Sequence, residues 1–186
     1  MSQFIASDPD ALVKSSMILE LRNFVSVPFQ PVLNGILRDN GVDQDDPQPW
    51  YKMQVILDIC SEIQNRVGPN TMFAIGKKAG DLRNLPGDPQ NLKDALRALD
   101  KAYLGVHQGN FIGHYRLRTL DMDLRKGEFE VDTPYPDEFD RGLIMSIVRR
   151  YKPHKAVNID VQRKKGWLHR VDGGDSTKFI ITWDQL

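Results

Sequence analysis

Cysteine is almost missing from this chain: Cys60 stands alone among 186 residues. One thiol excludes an internal disulfide and also a four-cysteine or mixed Cys/His zinc site, so a reducing cytoplasm is the expected compartment. Long apolar runs are missing too. Nothing approaches the roughly 18 residues that span a bilayer, so no membrane span is expected. The opening residues, Met1 to Asp8, lack the basic segment and apolar stretch of a signal peptide. Net charge is absent as well: 25 Lys and Arg balance 25 Asp and Glu. That balance argues against a nucleic-acid partner, which would call for overall basic character.

Several catalytic signatures are also lacking. There is no Gly-x-Ser-x-Gly elbow and no His-Glu-x-x-His run, and His107, His114, His154 and His169 include no pair at helical metal-site spacing. Ile75-Gly76-Lys77-Lys78-Ala79-Gly80 superficially suggests a phosphate loop. It lacks the upstream glycine and the hydroxyl residue after the lysine, so two small residues for close helix packing explain it better. Cys60 falls on the apolar face of a helix, where a thiolate is disfavoured. His107 and His114 straddle a helix-to-strand joint and could converge, but no carboxylates can be placed beside them. No acid–base or nucleophile pair stands out, and the chain is read as a non-enzyme with no metal site.

What is present is a change of period. Two short N-terminal helices are expected, with Leu19, Leu21, Phe24 and Val25 apolar on the first and Val32, Ile36 and Leu37 on the second. Pro28 and Pro31 mark the break between them. Met53, Ile56, Ile59, Cys60, Ile63 and Val67 recur at helical steps over about 50–66, and Gly68 supplies a stop. Asn70 can cap a helix that buries Met72, Phe73, Ile75 and Ala79. Asp88-Pro89 would open another, with Leu92, Ala95, Leu96, Leu99, Ala102, Tyr103 and Val106 on its apolar face. The period then falls to two. Residues 111–120 and 128–132 read as strands around a turn at Arg125-Lys126-Gly127. A helix from Pro136 to Tyr151 carries acids in its first turn and bases in its last, which complements the helix dipole. Val157, Ile159 and Val161 mark a further strand. Residues 167–171 and 179–183 flank Asp172-Gly173-Gly174-Asp175 as a hairpin.

This order predicts an α+β fold, with N-terminal helices packed on one face of a C-terminal antiparallel sheet and one inserted helix. The chain is read as a single ligand-binding or regulatory domain over 1–186. Within it, 1–45 forms an N-terminal helical segment open to a role in dimerisation, and 46–186 forms the core. Charge is placed unevenly: acids crowd between Asp121 and Asp140, bases between Arg149 and Arg170. Solvated faces account for this, or an acidic surface that meets a basic one in a dimer or partner complex. Arg163-Lys164-Lys165 beside Trp167 reads as a solvated loop rather than a single-strand nucleic-acid platform.

Two stretches carry a resemblance. One is Leu96-Arg97-Ala98-Leu99-Asp100-Lys101-Ala102-Tyr103 with His107 and Gly109; the other runs from Pro134-Tyr135-Pro136-Asp137-Glu138-Phe139 through Ile144. With the closing Gly173-Gly174-Asp175 turn, they resemble a superfamily of three groups, of which this chain looks like a non-classical bacterial member. The groups are the haem nitric-oxide/oxygen-binding sensors, the 4-vinyl-reductase-like ligand domains and the small subunits of the TRAPP tethering complex. The resemblance covers about 50–183. It implies a cytoplasmic sensory or regulatory domain that binds a small apolar or tetrapyrrole-like ligand, haem or another tetrapyrrole. It also implies a homodimer with a signalling-protein partner. By the same resemblance, Tyr103, His107, Tyr135 and Phe139 would border the ligand. Where the haem sensors carry Leu-Asp-x-x-His, this sequence has tyrosine at Tyr103. Where they carry Tyr-x-Ser-x-Arg, it has Tyr135, Asp137 and Phe139, and Asp137 would repel a propionate. The tethering subunits imply an alternative, a protein-interaction module with no ligand.

Overall fold

The structure, a computed structural model, describes residues 2–68 and 70–186. A short strand, β1 (Leu12–Lys14), runs into two brief helices, α1 (Ser15–Leu19) and α2 (Leu21–Phe24). A 3-10 turn at Val27–Phe29 leads to α3 (Gln30–Asp39), with Pro31 in its first turn, where a missing amide costs nothing. Then follow β2 (Trp50–Lys52), α4 (Met53–Val67), α5 (Asn70–Leu82) and α6 (Leu92–Leu104). After the short β3 (His107–Gln108) come β4 (Tyr115–Asp121), β5 (Lys126–Val131), α7 (Asp137–Arg150), β6 (Ala156–Arg163) and β7 (Thr177–Gln185).

The expected α+β architecture is present, with every strand pair antiparallel. The main sheet has the order β4-β5-β7-β6, and a second sheet, β2-β1-β3, joins three segments far apart in sequence. Helices α6 and α7 cover the inner face of the main sheet, and α5 packs on α7. Phe129 and Phe179 face each other across β5 and β7, and both are fully buried with Val131, Val161 and Ile181. Residues one step along point outward and pair ionically: Glu128 with Lys164 and Lys178, Glu130 with Arg118. The alternation of Glu128-Phe129-Glu130-Val131 thus sets one sheet face toward the helices and one toward water.

The α5–α7 contact is unusually close, because Gly76 lies under the Phe139 carbonyl and Gly142 under the Phe73 carbonyl. A methyl group at either position would run into backbone. This is the close packing expected of the glycine-bearing helix.

Several expectations need correction. Trp50 and Tyr51 belong to a strand, so the helix starts at Met53. Asp88 does not open α6; Asn91 does, its side chain accepting from the Asp94 amide at 3.0 Å. Asn70 lies in α5 itself, and its preceding residue is outside the described set. The turn between β4 and β5 falls at 122–125, before Lys126. Residues 167–171 form no strand: Arg170–Asp172 is a 3-10 turn, and β7 pairs with β5 and β6. Val32, expected on the buried face of α3, is 37% exposed, and Leu33 is buried in its place. Among the described residues no helix is long and apolar enough to cross a membrane.

Candidate functional site

The end of α6, strand β3 and the start of α7 bring Tyr103, His107, Tyr135 and Phe139 together beneath the sheet. The first three are at most 3% exposed. Tyr103 continues the α6 stripe of Leu92, Leu96 and Leu99, which points it inward, and its hydroxyl donates to the Ile112 carbonyl at 2.5 Å. His107 lies one helical turn further on and stacks on Tyr103, with ring centres 4.1 Å apart and planes 29° from parallel. Its Nδ1 is 2.8 Å from the Tyr103 carbonyl oxygen and its Nε2 is 2.8 Å from the Tyr135 hydroxyl.

The tautomer follows from the partners. A carbonyl only accepts, so Nδ1 carries the proton, and Nε2 accepts from Tyr135. Burial pushes the imidazole down to about 4, which keeps it neutral near pH 7. Burial also raises the Tyr103 and Tyr135 phenols well above their usual value, so both remain hydroxyl donors. Phe139 lies against Tyr135 at 5.5 Å between ring centres, and Tyr115 meets Tyr103 edge-on at 5.4 Å.

A second polar layer lies behind the aromatics, and of its members the sequence singled out only Asp137, through the resemblance. Arg170, with no side-chain exposure, donates to Asp137 at 2.5 Å and to Asp140 at 2.7 Å. It also donates to the Thr133 carbonyl, while the Thr177 hydroxyl donates to Asp137 at 2.8 Å and Tyr115 donates to Asp140. Burial raises the Asp140 carboxyl to about 6, against the opposing pull of Arg170 and of the Tyr115 hydrogen bond. One signal pointed to Asp140: it lies three and four residues before Leu143 and Ile144, in line with the buried stripe of α7. Arg170 sat within a basic run that reads as surface, and nothing local separates it from its neighbours.

Other candidates lie elsewhere. His114 turns to Asp100, at 3.2 Å, and does not join His107. His169 donates from Nε2 to the Lys164 carbonyl at 2.9 Å. Cys60 is buried, its thiol pushed up to about 12 mainly by burial. Among the described residues no three His, Cys, Asp or Glu side chains cluster as a metal site. The acidic and basic blocks meet inside one chain: Arg163 reaches Asp137 at 3.3 Å and Glu138 at 3.0 Å, and Lys164 reaches Glu128 at 2.6 Å. Lys178 covers the Trp167 ring at 3.9 Å.

No family model matches the chain, and no curated protein matches it. Solved structures do. An H-NOX protein from S. oneidensis, in the Fe(II) ligation state and with three substitutions, is 12% identical with a TM-score of 0.64, over 90% of this chain and 96% of that one. A point mutant of T. tengcongensis H-NOX is 16% identical with a TM-score of 0.60, over 91% and 94%. A single-residue variant of Tt H-NOX is 13% identical with a TM-score of 0.63, over 93% and 96%. The chain therefore has the fold of H-NOX proteins along nearly its whole length. At these identities the likeness defines the fold alone.

Proposed function

We propose that this chain is a non-enzymatic regulatory module on the H-NOX fold whose interior is closed by its own aromatic side chains, and which works through its surface. One observation carries the reading: His107 stacks on Tyr103, Tyr135 meets both rings edge-on, and all three are hydrogen-bonded to one another or to backbone and at most 3% exposed. A haem does not fit these residues. The Tyr103 hydroxyl is held by Ile112, and the one lone pair His107 could offer a metal accepts from Tyr135. The buried guanidinium that could receive a propionate, Arg170, is already shared by two carboxylates, which would repel a third. The polar groups of Tyr103, His107 and Tyr135 are all partnered, so none of these three is left as a free nucleophile or base.

The fold likeness favours a second reading: a sensor whose small apolar or tetrapyrrole-like ligand sits among Tyr103, His107, Tyr135 and Phe139. Such a sensor would act as a cytoplasmic homodimer upstream of a signalling protein.

Titrating the purified chain with hemin while recording absorption separates the two. The closed interior predicts no one-to-one complex with a sharp Soret band. A stoichiometric band that disappears in Tyr103→Phe or His107→Ala would overturn it in favour of the sensor.

A further inference from the structure

A groove of about 1000 Å³ runs along the molecule between α2 with its following 3-10 turn and the outer side of α5. One wall is Phe24, Val27 and Phe29; on the facing side Thr71 and Ala74 of α5 line the groove, with Ile75 buried beneath them. Val27 is 75% exposed and Phe29 43%, so this apolar wall stands open to water. Arg22, Lys77 and Lys78 rim the groove, and none has a carboxylate partner among the described residues. Elsewhere on this chain bases and acids do pair, across the outer sheet face and around α7. The groove's one acid, Asp81, has an oxygen turned to the Ser146 hydroxyl. An apolar trough with an unmatched positive rim is therefore built into the surface. Its α5 wall extends from Thr71 to Asp81, about 15 Å at helical rise. Open along its length, it would cover one side of a small molecule, where a ligand pocket covers most of it. A three-turn helix laid along α5 would bury its apolar stripe against these walls and set flanking carboxylates on the rim.

We propose that this groove is the docking site for an amphipathic, acid-flanked helix of a partner protein. The inference rests on the surface-acting reading above and gives that surface a place and a partner chemistry.

The test uses the full chain and two labelled peptides of about 14 residues, with identical leucines at helical spacing and either glutamates or lysines elsewhere. Fluorescence anisotropy should show the glutamate peptide binding at least about tenfold more tightly, with a preference that weakens as salt rises. The double substitution Lys77→Glu/Lys78→Glu should reverse the preference. Val27→Asp should weaken binding of the glutamate peptide while leaving the melting temperature unchanged, since the side chain is exposed. Equal binding of both peptides, or a preference untouched by the charge reversal, overturns the proposal. So does a groove occupied by a second copy, seen as a dimer that Val27→Asp dissolves, or stronger binding to anionic phospholipid vesicles than to peptide. Failure here leaves the hemin result standing. A Soret band together with normal peptide discrimination would instead remove the closed interior and keep the groove.

Discussion

His107 and Asp140 are shifted in opposite senses within one interior. Folding lowers the imidazole from its ordinary 6.5 to about 4. Between those values the unfolded chain binds more protons, so the histidine's contribution to stability is complete above about 6.5 and is lost as pH falls toward 4. Folding raises Asp140 from 3.8 to about 6. There the folded chain holds the extra proton, and stability falls as pH rises from about 4 to 6. The two slopes oppose each other across pH 4–6. His107→Phe should remove the rising slope and leave the falling one. Urea midpoints at several pH values read this directly, and an unchanged pH profile would show that His107 is not buried neutral. At this scale the sequence disclosed half the site. Tyr103, His107, Tyr135 and Phe139 are named through the resemblance alone; by pattern Tyr103 reads as one more residue of an apolar stripe and Tyr135 as the start of a helix. Arg170 was not visible, because its two acids lie 30 and 33 residues away and only the folded chain brings them to it.

Among the elements, legibility followed length. Helices α4 to α7 repeat their apolar period several times, and all four were expected. Strand β1 is three residues long, too short to display alternation, and its existence depends on partners at 50–52 and 107–108. The hairpin expected at Asp172-Gly173-Gly174-Asp175 failed for a related reason. Flanking apolar residues suit a strand, but Arg170 is drawn inward to Asp137 and Asp140, which turns 170–172 into a 3-10 helix instead. The glycines of α5 were read correctly, because small residues on an apolar helix signal close approach. Gly76→Ala should force α5 and α7 apart and destabilise the protein by about 1–3 kcal/mol through overpacking, where an exposed helical Gly→Ala would stabilise it. Thermal unfolding gives the sign, and a raised melting temperature would contradict the contact.

Over the whole molecule part of the charge segregation seen in sequence is paired within the chain. Acids from 128–140 and bases from 163–178 face one another across β5, β6, β7 and α7 within a single chain. Composition gives the two blocks but not their partners, so pairing within a chain and pairing between chains look identical before folding. Light scattering at low and high salt should accordingly return the same molar mass, with a modest fall in melting temperature as the exposed pairs are screened. A mass that halves on adding salt would mean that the blocks also join chains.

The three-stranded β2-β1-β3 sheet has a consequence for the order of events in the cell. Its central strand is made first and its outer strand, at 107–108, last, so the opening residues must wait while about a hundred more leave the ribosome. Until then Val13 and its neighbours form an unsatisfied edge, and a nascent chain paused shortly before residue 107 would be a natural client for a chaperone.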